Sequence, residues 1–105
     1  MIDRWTSYRS FWFDHDTVGL RGSDTGQVPE IAYYMEQNPS LKVGIDGSIP
    51  RGSDPRSQDL AGRRVSTVCE ALITAGMPAH RIERGAFGDA QLARDGRVEV
   101  LIRTN

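Results

Sequence analysis

The feature that most constrains the fold is the spacing of the apolar residues, which changes repeatedly along the chain. In some segments every second residue is apolar, as in a strand, and in others every third or fourth residue is, as in a helix. Apolar residues alternate at Leu41, Val43 and Ile45, which predicts a strand with one buried face. Helical spacing follows between residues 60 and 73, where the apolar positions are Leu60, Val65, Val68, Cys69, Leu72 and Ile73. A strand, a helix and a further strand in this order imply parallel pairing through a right-handed crossover.

The further strand of this unit, the third of the chain, is expected over residues 82–86. Two more strands are predicted outside the unit: an aromatic strand over residues 5–13 and a fourth strand over 98–102, where apolar and other residues alternate. The stretch 47–59 is rich in glycine, proline and serine, and it predicts a long loop before the second helix.

The first helix has an apolar stripe made by Val28, Ile31, Ala32 and Met35. Pro29 belongs to its first turn, and the Asn-Pro pair at 38–39 ends it. Ala75-Gly76 ends the second helix. We therefore expect an α+β fold with the order βαβαββ. It is a two-layer sandwich in which a mixed sheet carries both helices on one face, and the last two strands can add antiparallel pairing.

The length of 105 residues predicts one domain spanning 1–105, with a folded core over 10–103 and residues 1–9 as an arm or a strand lead-in. A chain of this size buries about two-thirds of its surface, enough for a core without disulfides or metals. Its net charge of −1 argues against nucleic acid as a partner. No apolar run is long enough for direct membrane insertion. With Cys69 as the only cysteine and two histidines, neither a metal nor a cofactor is expected.

One hypothesis is that the chain is an enzyme. It is based on Asp14 and Asp16, which follow a hydrophobic strand as Asp-x-Asp. Phosphatases of the haloacid dehalogenase type place a nucleophile and a general acid in this way. The chain is short for that fold, and its only lysine, Lys42, precedes the serine that would form the next motif, Ser48. Asp-x-Asp at a strand end is also common turn chemistry, so we expect a noncatalytic protein.

Several spaced motifs resemble one known family. Gly52, Ser57 and the run Leu60-Ala-Gly-Arg-Arg64-Val fit its central pattern, residues 97–100 fit its closing segment and residues 13–16 its opening strand. The chain thereby resembles, over about residues 10–103, the C-terminal domain family of OmpA, MotB and the peptidoglycan-associated lipoprotein. The resemblance implies an OmpA-like fold and noncovalent binding to the stem peptide of peptidoglycan.

The family's ligand is the free end of diaminopimelate, which has an ammonium and a carboxylate on one carbon. The resemblance gives the role of gripping the carboxylate to Arg64 and the role of shaping the binding loop to Ser48 and Ser57. A pure stability role is the alternative for Arg64, with its stem on the core and its head paired with Asp46, Asp54 or Asp59.

The family's aspartate, which faces the ammonium, has no counterpart here. Ile49 holds its position, or Pro50 after a shift of one residue. Losing a charge-assisted hydrogen bond costs about 1.5–3 kcal/mol, so weakened binding is expected unless Asp46 or Asp54 partly replaces the missing acid. The alternative is an OmpA-like interaction or assembly module that does not bind peptidoglycan.

The resemblance also implies a location and a context. We expect a periplasmic domain of a Gram-negative bacterium, within an outer-membrane-associated protein such as a lipoprotein, with other envelope proteins as further partners. Trp5, Tyr8 and Trp12 could form a carbohydrate-stacking platform, although such aromatics more often cover a sheet.

Overall fold

A computed structural model describes residues 5–47, 54–85 and 96–104 of the chain. The elements run in the order β1 (Thr6–Trp12), α1 (Gln27–Gln37), β2 (Leu41–Asp46), α2 (Pro55–Thr74), a short 3₁₀ helix (Ala79–Arg81), β3 (Ile82–Arg84) and β4 (Arg97–Thr104). The predicted βαβαββ order is therefore confirmed.

The four strands form one mixed sheet in the order β1-β4-β2-β3. β2 and β3 are parallel, as the strand–helix–strand pattern predicts, and β4 is antiparallel to both β1 and β2. Of the last two strands, which were expected to add antiparallel pairing, β4 does so and β3 does not, because β4 lies between β1 and β2 whereas β3 pairs only with β2 in the described residues. Its eight residues include the buried Val98 and Val100, which favour a central position, whereas the three-residue β3 suits an edge.

Both helices pack on one face of this sheet. Phe11, Val43 and Val98 point from the strands toward Ile31 of α1 and Leu72 of α2, and all five are at most 1% exposed. This single apolar layer explains why the two helices show stripes of apolar residues and why the strands alternate. The predicted two-layer arrangement is confirmed.

α1 ends where the sequence predicts, with Asn38 as its C-cap, but its last carbonyls depend on a distant residue. The Arg81 guanidinium donates from Nη1 to the Met35 carbonyl (2.9 Å) and from Nη2 to the Asn38 carbonyl (2.8 Å). It also donates to the carbonyl of Leu41 at the start of β2, from Nε (3.2 Å) and Nη2 (2.7 Å). Arg81 thus compensates for the absence of a basic residue in the last turn of α1.

α2 begins five residues earlier than its apolar stripe indicates. Asp54 is the N-cap and accepts a hydrogen bond from the Ser57 N–H (2.7 Å), and Pro55 occupies the first helical position. The predicted loop is therefore wrong over residues 55–59, because capping chemistry rather than apolar spacing starts this helix. The rest of that loop, 48–53, lies outside the described residues.

β2 is more deeply buried than its alternation predicts. Asp46 is fully buried on the face away from the helices, where its neighbour across the sheet is Glu99, which is 6% exposed. Glu99 in turn accepts a hydrogen bond from the Ser10 hydroxyl (2.5 Å). Three adjacent strands therefore carry a row of polar residues, of which Asp46 and Glu99 are buried and Ser10 is half-buried. A half-buried strand pattern does not indicate such a row.

Candidate functional site

A cavity of about 120 Å³ lies where β2 ends, β4 begins and the first half of α2 crosses them. Its lining residues are Gly47, Ser57, Leu60, Ala61, Arg64, Arg97 and Val98. Two of the residues that the sequence resemblance assigns to a binding site, Arg64 and Ser57, therefore meet at one cavity.

Arg64 is held in place by main-chain carbonyls. Its Nε donates to the Thr17 carbonyl (2.8 Å) and its Nη2 to the Asp14 carbonyl (3.1 Å). Its guanidinium carbon lies 5.1 Å from the ring centroid of Phe13, which places the cation over that ring. The alternative in which Arg64 pairs with Asp46, Asp54 or Asp59 is not seen: Arg64 makes no ion pair within the described residues, and Asp59 pairs with Arg63 instead (3.0 Å).

The remaining donors of Arg64 are available to a ligand. Nε and the nearer hydrogen of Nη2 form one edge of the planar guanidinium, and the two carbonyls occupy that edge. Nη1 has no hydrogen-bond partner in the part of the chain that the structure describes. The end of the fork, between Nη1 and Nη2, can therefore receive a carboxylate with two parallel bonds.

Partial burial lowers the pKa of the Arg64 guanidinium, and the charge of nearby Asp16 acts in the opposite direction. An arginine remains protonated at neutral pH despite such a shift. Desolvation makes its remaining N–H groups stronger partners for an anion than those of a fully exposed arginine would be.

Gly47 determines how closely α2 approaches the end of β2. A Cβ at this position would lie 2.5 Å from Val65 Cγ2 and 3.3 Å from the Ala61 carbonyl oxygen. Only glycine leaves space for the helix here, and this contact brings Ser57 and Arg64 beside the strand end. Gly47 is not among the residues predicted from the sequence, although a glycine directly after a buried strand was the available signal.

The two acids expected to replace the family's aspartate lie elsewhere. Asp54 is exposed at the N-cap of α2, and the hydrogen bond from the Ser57 N–H lowers the pKa of its carboxyl. Asp46 is fully buried in the sheet. Neither lines the cavity. Ser48, Ile49 and Pro50 lie outside the described residues.

The turn after β1 holds the two acids of the Asp-x-Asp motif in ion pairs. Asp14 Oδ1 lies 3.5 Å from Arg21 Nε, and Asp16 Oδ2 lies 3.3 Å from Arg56 Nη2 and 3.4 Å from His15 Nε2. Both side chains are at least half exposed. No group of three or more potential metal ligands occurs among residues 5–47, 54–85 and 96–104.

The aromatic residues near the N-terminus contact different partners. The Arg97 guanidinium carbon lies 5.3 Å from the Trp12 ring centroid, and that of Arg103 lies 4.8 Å from the Trp5 centroid. Tyr8 packs against Tyr34 with ring centroids 5.0 Å apart. Cations and a helix residue therefore already contact these three rings, as expected for aromatics that cover a sheet.

A larger hollow of about 450 Å³ lies between α1 and the segment that follows α2. Arg81 is the one cation among its described lining residues, and its N–H groups are largely occupied by carbonyls. The smaller cavity is therefore the better candidate for an anion site, because it is lined by Arg64, whose Nη1 has no hydrogen-bond partner among the described residues.

None of the helices in the described ranges combines the length and the apolar character needed to cross a membrane.

Comparisons with known proteins agree on one family. The model of the OmpA family matches residues 12–103. Outer membrane porin F of Pseudomonas fluorescens is 28% identical over 88 residues, which are 83% of this chain but 27% of that protein.

Two solved structures are similar to the whole fold. The peptidoglycan-associated lipoprotein from Burkholderia pseudomallei superposes with a TM-score of 0.74 at 22% identity, covering 90% of each chain. The C-terminal domain of Helicobacter pylori MotB superposes with a TM-score of 0.71 at 15% identity, covering 93% of this chain and 86% of that one. At these identities the structural likeness establishes the fold.

Proposed function

The chain belongs to the OmpA family, and from this premise we propose that it is a noncatalytic domain that binds peptidoglycan in the periplasm. The observation that carries the proposal is the position of Arg64, which lines a cavity and whose Nη1 has no hydrogen-bond partner among the described residues. A free carboxylate of a wall peptide is a ligand of suitable shape and charge for that fork.

In this proposal the parts of the cavity have separate roles. Arg64 grips the carboxylate of diaminopimelate, and the Asp14 and Thr17 carbonyls keep the guanidinium from turning away. Ser57 shapes the wall beside it, and Gly47 keeps the helix close. Fixing the arginine before binding reduces the side-chain entropy that the complex would otherwise lose.

The binding is proposed to be weak, because the family's aspartate is replaced. Of the two acids considered as substitutes, Asp54 reaches solvent and Asp46 does not. Ser48 and Ile49 belong to the proposed loop on the strength of the sequence resemblance. A ligand ammonium that lacks a partner costs about 1.5–3 kcal/mol, or about ten- to a hundredfold in affinity.

The proposed context is the envelope of a Gram-negative bacterium. The porin relative is several times longer than this chain, which covers 27% of it. We propose that the domain serves as the wall-binding part of an outer-membrane-associated protein, with a lipoprotein as one such parent and other envelope proteins as partners.

A sedimentation assay with purified peptidoglycan tests the proposal. Arg64→Ala should reduce retention about tenfold, since it removes a charge-assisted hydrogen bond to the carboxylate. Arg63→Ala is the matched control, because Arg63 is the adjacent helix residue and its guanidinium is engaged with Asp59 in solvent. Equal retention of Arg64→Ala and the parent protein would contradict this site. A parent protein that is not retained at all would favour the interaction module instead.

A further inference from the structure

Both helices end at the larger hollow, the cavity of about 450 Å³ beside Arg81. Met35 and Glu36 belong to the last turn of α1, Ala75 is the C-cap of α2, and all three residues line the hollow. The C-terminal end of a helix carries a partial negative charge, because its last carbonyls have no partner within the helix. Two such ends therefore meet at one cavity.

The two helix ends are completed in different ways. Arg81 brings a positive charge to the end of α1, where it donates to main-chain carbonyls. The last turn of α2 contains no basic residue, and the N–H groups that close this helix are neutral. Gly76 donates to the Ile73 carbonyl (3.0 Å) and Met77 to the Leu72 carbonyl (3.1 Å). The end of α2 therefore still favours a cation beside it.

Glu36 adds a full negative charge to the same hollow. It is an exposed residue of the lining, so solvent and a ligand can reach its carboxylate. Arg81, the cation among the described lining residues, has Nε, Nη1 and Nη2 directed at carbonyls of the main chain. The charge that the hollow presents to a ligand is therefore negative.

The remaining wall of the hollow is largely apolar. Met35 and Met77 are buried, at 0% and 4% exposure, and Pro29 and Pro78 line the same hollow. The ring of Tyr33 is 66% exposed, so a partner can cover it. Methionine side chains adapt to partners of irregular shape, and the volume is that of an ordinary ligand pocket. The hollow thus suits an apolar group that is attached to a cation.

We propose that this hollow docks a segment of a partner protein in which an apolar side chain lies next to a lysine or an arginine. The apolar side chain packs against Tyr33 and the two methionines, and the cation pairs with Glu36 beside the end of α2. The partner's cation serves α2 as Arg81 serves α1. This surface goes beyond the proposed wall binding, because no residue lines both the hollow and the Arg64 cavity.

NMR titration of the isotope-labelled protein with blocked hexapeptides tests the proposal. The probe is acetyl-Ser-Ala-Leu-Arg-Ala-Ser-amide, and a matched peptide has glutamate in place of the arginine. The arginine peptide should produce saturable shifts of the amide signals of Tyr33, Glu36, Gly76 and Met77. The glutamate peptide should bind about tenfold more weakly, because an attraction of the strength of an exposed ion pair becomes a repulsion. A third peptide, with serine in place of the leucine, should also bind about tenfold more weakly.

Reversing the charge of Glu36 tests the electrostatic part of the proposal. Glu36→Lys should weaken binding of the arginine peptide about tenfold and strengthen binding of the glutamate peptide by a similar factor. Glu70→Lys is the matched control, because it makes the same change of net charge at an exposed residue of α2 that does not line the hollow. The control should bind both peptides as the parent protein does.

Three results would overturn the proposal. The first is equal affinity of the parent protein for the arginine and glutamate peptides, and the second is an equal response of both peptides to Glu36→Lys. The third is a titration without saturable shifts at the hollow, including one in which the shifts map to the Arg64 cavity. None of these results changes the retention of the domain by peptidoglycan, which is tested separately by Arg64→Ala.

Discussion

The two ends of β2 have similar chemistry with different consequences. At its start, Arg81 donates four hydrogen bonds to three carbonyls, which join the end of α1 to the strand. Beyond its end, Arg64 donates two hydrogen bonds to the carbonyls of the turn after β1. Both guanidiniums hold a chain reversal in place. All three nitrogens of the Arg81 guanidinium donate to carbonyls, whereas Nη1 of Arg64 has no partner among the described residues.

Arg81 and Arg64 differ in how many of their N–H groups are already bonded to main-chain carbonyls. The hollow beside Arg81 is the larger of the two, yet a ligand that bound the Arg81 guanidinium would have to displace the carbonyls of Met35, Asn38 and Leu41 from it. The cavity beside Arg64 is small, and its guanidinium can bind an anion without releasing the turn. We therefore expect substitutions at Arg81 to affect stability and substitutions at Arg64 to affect binding.

The largest stability effect should come from Arg81→Ala. It leaves the Met35, Asn38 and Leu41 carbonyls without this donor and should lower the free energy of unfolding by about 2–4 kcal/mol, measured by urea denaturation. Arg84→Ala is the control, because Arg84 is exposed and donates to a side chain, the Ser66 hydroxyl, and to no main-chain carbonyl among the described residues. Equal free energies of unfolding for the two variants would contradict the stabilising role given to Arg81.

Gly47→Ala, at the other end of β2, should lower the free energy of unfolding by less than Arg81→Ala does. The new methyl group would overlap Val65 and press on the Ala61 carbonyl, which should cost about 1–3 kcal/mol and narrow the cavity. Gly62→Ala in α2 is the matched control, since nothing lies within 4 Å of its Cβ position, and it should stabilise the helix by about 1 kcal/mol. Thermal unfolding, monitored by circular dichroism, should show a lower melting temperature for Gly47→Ala and a higher one for Gly62→Ala. A neutral Gly47→Ala would contradict the close approach of helix and strand.

Arg64→Ala should lower the free energy of unfolding by only about 1 kcal/mol, because its two hydrogen bonds lie at the surface. Urea denaturation of Arg64→Ala and of Arg81→Ala under the same conditions compares the two losses of free energy of unfolding directly. A loss as large as that of Arg81→Ala would show that Arg64 is mainly structural.

The smallest effect on stability is expected from Asp54→Asn at the N-cap of α2, and this effect depends on pH. The pKa of Asp54 is lowered in the folded protein by the Ser57 N–H, so its charge stabilises the fold at pH values above the ordinary aspartate pKa. Asp54→Asn keeps a capping oxygen without the charge. The parent should therefore melt slightly higher than this variant at neutral pH, and the difference should disappear as the pH falls through the lowered pKa. A difference that is constant with pH would show that the charge plays no part.

The sequence predicts the features of this fold that depend on local chemistry. The apolar stripe and the ends of α1, the end of α2 just before Gly76 and the parallel pairing of β2 with β3 follow from the spacing of apolar residues and from turn residues. The position of β4 between β1 and β2 does not, because strand order depends on contacts between residues far apart in the chain.

The site was predictable only in part for the same reason. A motif could indicate Arg64, but its carbonyl partners belong to a turn 47 to 50 residues earlier in the chain. Whether an arginine has free donors is decided by that tertiary contact, which no local pattern contains.

The most direct test of the account is an NMR titration of the parent protein and of Arg64→Ala with a diaminopimelate-containing muropeptide. We predict saturable shifts of the amide signals of Ser57, Leu60 and Ala61 in the parent, and no such shifts in the variant. Shifts that instead map to the hollow beside Arg81, or that are the same in both proteins, would contradict it.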